Sequence, residues 1–316
     1  MPRTKSRTTA EGAEGAEGQR APARTADGTA GAGAWARARR VVSPARALLR
    51  ACHPEPTLAV TALITLLAAA SGHGPAGCLL LASAVLTGQL SVGWCNDRAD
   101  LARDTAAKRR DKPLVTGGAT PRTVALAAGC ALALCIPLSL ANGPAAGAAH
   151  LTGVAAAWSY NLGVKRTRAS WLPYALAFGL LPAFVTLSLP GRPWPPAWSL
   201  AAGALLGLGA HITNVLPDID DDVAAGVRGL PQRLGGRWAR LLGPLPLVAA
   251  SAVLALAPPG PPGAAGWAAL VVTAALAVAT ALPGRSGTRS RVPFLATLAM
   301  AATAVTLLVL HGGALA

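Results

Sequence analysis

"WCNDRADLARDTAAKRRDK", Trp94 to Lys112, packs four Asp and six Lys or Arg into a few turns, directly after a long uncharged run. The 316 residues are 53% hydrophobic and only 13% charged, whereas a soluble domain carries about 25% charged residues. Apolar stretches recur from residue 57 to the end, at about 57–72, 76–95, 121–140, 145–163, 171–189, 197–217, 238–257, 265–282 and 293–311. A membrane helix needs roughly 17 to 25 such residues. These stretches predict an all-α polytopic membrane protein with about nine transmembrane helices.

The net charge of +15 is distributed by topology. The loops after spans 2, 4, 6 and 8 carry Lys108 to Lys112, Lys165 to Arg168, Arg228 to Arg240 and Arg285 to Arg291. The loops after spans 1, 3, 5 and 7 carry only Arg192. Positive charge collects on the cytoplasmic side, so the N-terminus is expected in the cytoplasm and the C-terminus outside. This alternation argues against nucleic acid as a partner and for anionic lipid head groups. Residues 1–44 read as a disordered basic cytoplasmic tail, and residues 45–316 as the membrane domain.

The acids are more selective. Beyond Glu55 all eight fall in two windows, and each window lies at the cytoplasmic end of an even-numbered span. The first holds Asp97, Asp100, Asp104 and Asp111. The second, "HITNVLPDIDDDVAAGVRGLP", holds Asp218, Asp220, Asp221 and Asp222. Asn96, Asp100, Asp104, Arg110 and Pro113 recur 118 residues later as Asn214, Asp218, Asp222, Arg228 and Pro231. The offset spans an even number of helices, so the copies read as parallel internal pseudo-repeats whose acidic ends could face each other.

Residues i, i+4 and i+8 share one helix face. Asn96, Asp100 and Asp104 therefore form one oxygen-bearing stripe, with Asp97 one position round, and Asp218 and Asp222 form another. Stacked carboxylates repel unless a cation lies between them. Mg²⁺ takes oxygen ligands and is commonly held by one or two carboxylates plus substrate phosphates. No His or Cys accompanies the stripes, which argues against zinc. Acids at a helix C-terminus also oppose the helix dipole, so they are poorly placed for stability alone. Basic residues crowd the same face, and Arg110, Lys112, Lys165, Arg166 and Arg228 are candidates to clamp a diphosphate. His150 and His211, within or near spans, and His53, just before one, are expected to be hydrogen-bonded packing residues.

These residues resemble a known family. "NDRADLARD" is similar to the N-D-x-x-D-x-x-x-D motif of the UbiA family of intramembrane prenyltransferases. "DIDDDVAAGVRGLP" resembles its second Asp motif, and "YNLGVKR" resembles its Tyr-x4-Lys segment after helix 4. The resemblance covers roughly residues 45–311. It implies a helix bundle around a central cavity, an isoprenoid diphosphate substrate bound through Mg²⁺, and a small or lipid-like acceptor, with an aromatic acceptor as one candidate. By that resemblance Asn96, Asp97, Asp100, Asp104, Asp218 and Asp222 match metal-motif positions. Tyr160, Lys165 and Arg228 match the positions expected to act in catalysis, Tyr160 through attraction of a carbocation to its ring. A terpene cyclase of the same fold would use the same ionisation residues. A transporter or scaffold with repeat symmetry would not require paired Asp stripes at one face.

Overall fold

In a computed structural model, residues 45–281 and 292–315 are described. The expected tail, 1–44, and the basic cluster from Arg285 to Arg291 lie outside the described residues. Those described are helical, with no strand among them. The helices are α1 (Ala45–Ala51), α2 (Pro54–Ala70), α3 (Pro75–Ala106), α4 (Pro121–Ala141), α5 (Pro144–Leu162), α6 (Leu172–Gly179) and α7 (Leu181–Thr186). They continue as α8 (Ala197–Val215), α9 (Ile219–Ala224), α10 (Leu230–Leu242), α11 (Pro244–Leu256), α12 (Ala264–Ala281) and α13 (Val292–Leu310).

Proline opens α2, α3, α4, α5 and α11. At that position its missing N–H costs nothing and its fixed φ already suits a helix. Among the described residues three helices are long and apolar enough to cross a membrane: α3, α4 and the continuous run from α8 through α9. Two bent pairs, α1–α2 at 66° and α10–α11 at 48°, raise this to five if each pair is one span. The segments 172–186, 264–280 and 295–310 are shorter apolar helices.

Large apolar side chains point outward along these helices, among them Leu126, Leu134, Ile136 and Leu140 on α4 and Val271 and Val278 on α12. Such a surface is unsuited to water and natural against lipid. Hydroxyls inside the helices turn back on their own backbone. Thr61 donates to the Thr57 carbonyl and Thr65 to the Thr61 carbonyl, both at 2.8 Å, and Thr273 donates to Ala269 at 2.7 Å. In hydrocarbon no water would satisfy those groups.

The main core joins Ile64 and Leu67 of α2, Leu81 of α3, Phe184 of α7, Leu247 and Leu254 of α11 and Met300 of α13. An apolar cleft borders this core between α2, α3, α5, α6 and α7, lined by Val85, Gln89, Val92, Val154, Phe178 and Leu181 among others. His150 borders it, stacks on Phe184 at 4.5 Å and hydrogen-bonds Ser139 at 2.8 Å. It is the packing residue expected from the sequence.

One close approach sets the geometry of the acidic end. A Cβ on Gly93 would run into the Cys52 carbonyl, so only glycine lets the α1–α2 junction lie directly on α3. His53 follows Cys52, in a left-handed conformation with φ of 55°, and Asp97 lies one turn beyond Gly93. Gly93→Leu would force that junction away from α3. We expect a loss of about 1–3 kcal/mol, typical of overpacking, read as a lower unfolding midpoint in detergent or lipid.

Candidate active site

The last turns of α3 carry Asp97, Asp100 and Asp104, all buried, and each is held by a different set of partners. Lys112 Nζ donates to Asp97 Oδ1 at 2.7 Å. His53 Nε2 lies 3.1 Å from the same oxygen and 3.2 Å from Lys112 Nζ. The chain reverses after α3 through Lys108, whose φ is 52°, and this turn brings Lys112 back to Asp97.

Asp100 is paired with Lys165, which is itself buried, and with Arg103 at 3.0 Å. Lys165 sits in a short 3-10 turn, Val164–Arg166, after α5. Burial draws its ammonium below the ordinary lysine range, while the Asp100 carboxylate acts in the opposite sense.

Arg103 joins the two acid windows. Its guanidinium lies 3.0 Å from Asp100, 3.5 Å from Asp104 and 2.8 Å from Asp222. Asp222 also accepts from Gln232 Nε2 at 2.8 Å. The second window is shaped differently from the first. Pro217 sits in a 3-10 turn, Leu216–Asp218, that separates α8 from α9. Asp218 is partly exposed there, with Arg109 at 3.5 Å, while Asp222 is turned inward and buried. Arg109 also forks onto Asp111 through two 3.0 Å bonds, which hold the Asp111 carboxyl below its usual range.

Polar rungs tie α3 to α5 between the acids and the cleft. Asn96 Nδ2 donates to Asn161 Oδ1, and Asn161 Nδ2 donates to the Val92 carbonyl, both at 3.0 Å. Next to Asn161, Tyr160 meets Tyr174 edge to face at 5.1 Å and His211 at 5.6 Å. His211 Nε2 is 3.1 Å from Ser170 Oγ, which accepts from the Leu230 amide at 2.8 Å. A Cβ on Gly229 would come within 2.6 Å of the Lys165 carbonyl and 2.8 Å of Ser170 Oγ. The absence of a side chain there lets the segment after the second window seat against the Lys165 turn. Asn214, at the Asn96 position of the second copy, donates to Tyr174 Oη at 3.2 Å.

Of the expected residues, Asn96, Asp97, Asp100, Asp104, Asp222, Lys112, Lys165 and Tyr160 therefore gather at one end of the bundle. Arg110, Arg166 and Arg228 are exposed and take no part in the ion-pair cluster. Sequence reading did not assign Arg103, Asn161 or Gln232 to the site. It also gave His53 a packing role, whereas the structure places His53 on Asp97. The signal for His53 was weak, since it comes only from its place just before the α2 proline.

The donor set suits a hard divalent cation. It consists of carboxylate and amide oxygens, and Asp97 Oδ2 is buried with no hydrogen-bond partner. Among the described residues, however, no three His, Cys, Asp or Glu side chains form a ready metal cage. Arg103 lies between the carboxylates that would have to converge.

Fold and site together define a helical membrane protein with an acidic, cation-paired centre beside an apolar cleft. A model of the UbiA prenyltransferase family matches residues 58–291, and the chain belongs to that family. No curated protein matches it by sequence. Solved structures share the fold. A UbiA homologue from Archaeoglobus fulgidus bound to GPP and Mg²⁺ superposes with a TM-score of 0.62 at 16% identity, covering 84% of this chain and 99% of its own. The same homologue bound to DMAPP and Mg²⁺ gives 0.60 at 17% identity, over 83% and 98%. A structure described for digeranylgeranylglyceryl phosphate synthase in membranes gives 0.59 at 15% identity, over 85% and 99%.

Removing one member of a buried ion pair leaves the other uncompensated, at a cost of about 3–5 kcal/mol. Lys165→Met should destabilise the protein by the lower part of that range, because Arg103 still serves Asp100. Adding Asp100→Asn should recover part of the loss. Unfolding of the two single variants and the double variant, compared as a cycle, measures the coupling.

Proposed function

We propose that the protein is a Mg²⁺-dependent intramembrane prenyltransferase. It moves an isoprenoid group from an allylic diphosphate to a small or lipid-like acceptor, with an aromatic acceptor as one candidate, and releases diphosphate. The observation that carries this reading is the convergence of Asp100, Asp104 and Asp222 from two sequence windows on one guanidinium. Buried Lys165 stands beside them, and the cleft at Val92 begins one helical turn from Asn96. Family membership and the solved relatives that hold GPP or DMAPP with Mg²⁺ support it.

In this reading Asn96, Asp97, Asp100, Asp104, Asp218 and Asp222 hold Mg²⁺, which when bound offsets the charge developing on the diphosphate. Lys112 and Lys165 present ammonium groups to the same charge, and Arg110, Arg166 and Arg228 supply cations from the exposed rim. The substrate C–O bond breaks, and its electron pair leaves with the diphosphate. The allylic cation that remains is stabilised by the face of Tyr160, whose ring is held by Tyr174 and His211. The apolar residues that line the cleft, Val92, Val154 and Phe178 among them, face the prenyl chain and keep water from the cation. A carbon or oxygen of the acceptor then supplies the electrons of the new bond and gives up its proton.

The topology proposed with this function has nine membrane crossings, a cytoplasmic N-terminus and active-site loops, and an outside C-terminus. The two Asp windows are the ends of parallel pseudo-repeats within residues 45–316. The alternation of charged and uncharged loops supports the first statement, and the 118-residue register supports the second.

The test is turnover of the purified protein in lipid, with Mg²⁺ and allylic diphosphates of several lengths, with and without acceptors. Acceptor-dependent prenylated product is expected. Chelation of the metal should abolish it, and Asp100→Asn or Asp222→Asn should reduce it by about 10²-fold or more, the scale of a lost electrostatic group. A cyclic hydrocarbon formed without acceptor would make the protein a cyclase instead. Absence of turnover on every diphosphate would overturn both activities.

A second measurement isolates the aromatic role. Tyr160→Phe keeps the ring and should stay within a few-fold of the parent. Tyr160→Leu removes roughly 1–2 kcal/mol of cation–π attraction and should lower kcat about 5- to 30-fold, with little change in KM for the diphosphate.

A further inference from the structure

Among the described residues Arg103 is the basic residue that bridges the buried acids of both windows, and the proposed function gives it no role. It lies on α3 between Asp100 and Asp104 and reaches across to Asp222 on α9. Its side chain is 25% exposed, while the three carboxylates around it are 10% exposed or less. The guanidinium therefore stands at the open side of the cluster, with the acids behind it. A planar guanidinium suits carboxylate and phosphate oxygens equally well, and one side chain cannot fully engage both.

The other acids have partners of their own. Asp97 is held by Lys112 and approached by His53, and Asp218 lies near Arg109. A divalent cation binding Asp100, Asp104 and Asp222 must compete with a positive charge already there. An arriving diphosphate removes that competition, because it offers Arg103 new anionic oxygens at the exposed side. Two ligands that each ease the binding of the other are coupled, and the coupling is reciprocal.

We propose that Arg103 is a substrate-binding latch: it holds Asp100, Asp104 and Asp222 until an allylic diphosphate takes its guanidinium, so that the divalent cation and the diphosphate bind tightly only together. This rests on the prenyltransferase reading above. It deepens that reading by assigning a diphosphate contact to a residue outside the recurring motif positions. The latch also limits binding of free metal to the acid stripes when no substrate is present.

The test uses the full chain in lipid nanodiscs and follows Mn²⁺ by the loss of its free electron-spin-resonance signal. It is run with and without an unreactive thiolo analogue of dimethylallyl diphosphate. Wild-type protein should bind Mn²⁺ weakly alone and at least fivefold more tightly with the analogue. Arg103→Gln removes the competing charge, so it should bind Mn²⁺ alone at least fivefold more tightly than wild type and lose most of the gain from the analogue. Arg103→Lys keeps a cation and should retain the wild-type order. Retained helical content and detergent-resistant folding of Arg103→Gln are read in parallel. If it unfolds, Arg103→Met and the retained coupling of Arg103→Lys decide the matter. Unchanged or weaker Mn²⁺ binding by folded Arg103→Gln or Arg103→Met would overturn the latch while leaving the prenyltransferase reading intact. Wild-type protein that binds no Mn²⁺ with the analogue and makes no prenylated product would overturn that reading itself.

Discussion

A carboxylate at the edge of a membrane must be neutralised, because the alternative is an ion with neither water nor a partner. That constraint organises the acidic end of this bundle. Asp97, Asp100, Asp104 and Asp222 each have at least one cation within ion-pair distance. Arg103 of α3 serves Asp100, Asp104 and Asp222, and two further cations come from elsewhere in the chain: Lys112 from the turn after α3 and Lys165 from the turn after α5. Gln232 on α10 and His53 at the α1–α2 junction complete the ring. Three connecting segments are thus fastened to the end of α3, and α10 to Asp222 of α9, by charge and hydrogen bonding, while the apolar core holds the helices together elsewhere. Buried ion pairs contribute little net stability after desolvation, so what this network chiefly provides is position. The positions it fixes belong to the groups that a diphosphate would meet.

The site is polar at one end and apolar at the other, and the transition takes about two turns of α3. Val92 lines the cleft, Asn96 bonds to Asn161, and Asp97 and Asp100 are ion-paired. A substrate with a charged head and a hydrocarbon tail is matched by that gradient. The aromatic group of Tyr160, Tyr174 and His211 lies beside the point where the polarity changes.

Much of this was legible in the sequence because charge is scarce in the chain. With 13% charged residues, every acid in an apolar segment stands out, and the i, i+4 spacing of Asp100 and Asp104 already places them on one helix face. The pairing of Lys165 and Lys112 with these acids could be suspected from their shared side of the membrane. Three things could not be read. Arg103 looked like one more topological arginine, because nothing in a linear pattern says that a guanidinium bridges to a residue 119 positions away. The role of His53 depends on a backbone contact at Gly93, and contacts of that kind leave no periodic trace. The break at Pro217 is visible in the sequence, but its effect, exposing Asp218 while burying Asp222, depends on the 3-10 turn at Leu216–Asp218. The register of the two windows suggested equivalent copies, whereas the local backbone makes them unequal.

The length of α3 carries one more consequence. Its 32 residues extend about 48 Å at 1.5 Å per residue, while the hydrocarbon layer is only about 30 Å thick. If the helix starts at one face of that layer, its last three turns stand beyond the other, and those turns hold Asp97, Asp100 and Asp104. The helix thus acts as a ruler that sets the depth of the chemistry. In the proposed reaction this length keeps the diphosphate head group at the level of the lipid phosphates and leaves the hydrocarbon tail within the oily layer.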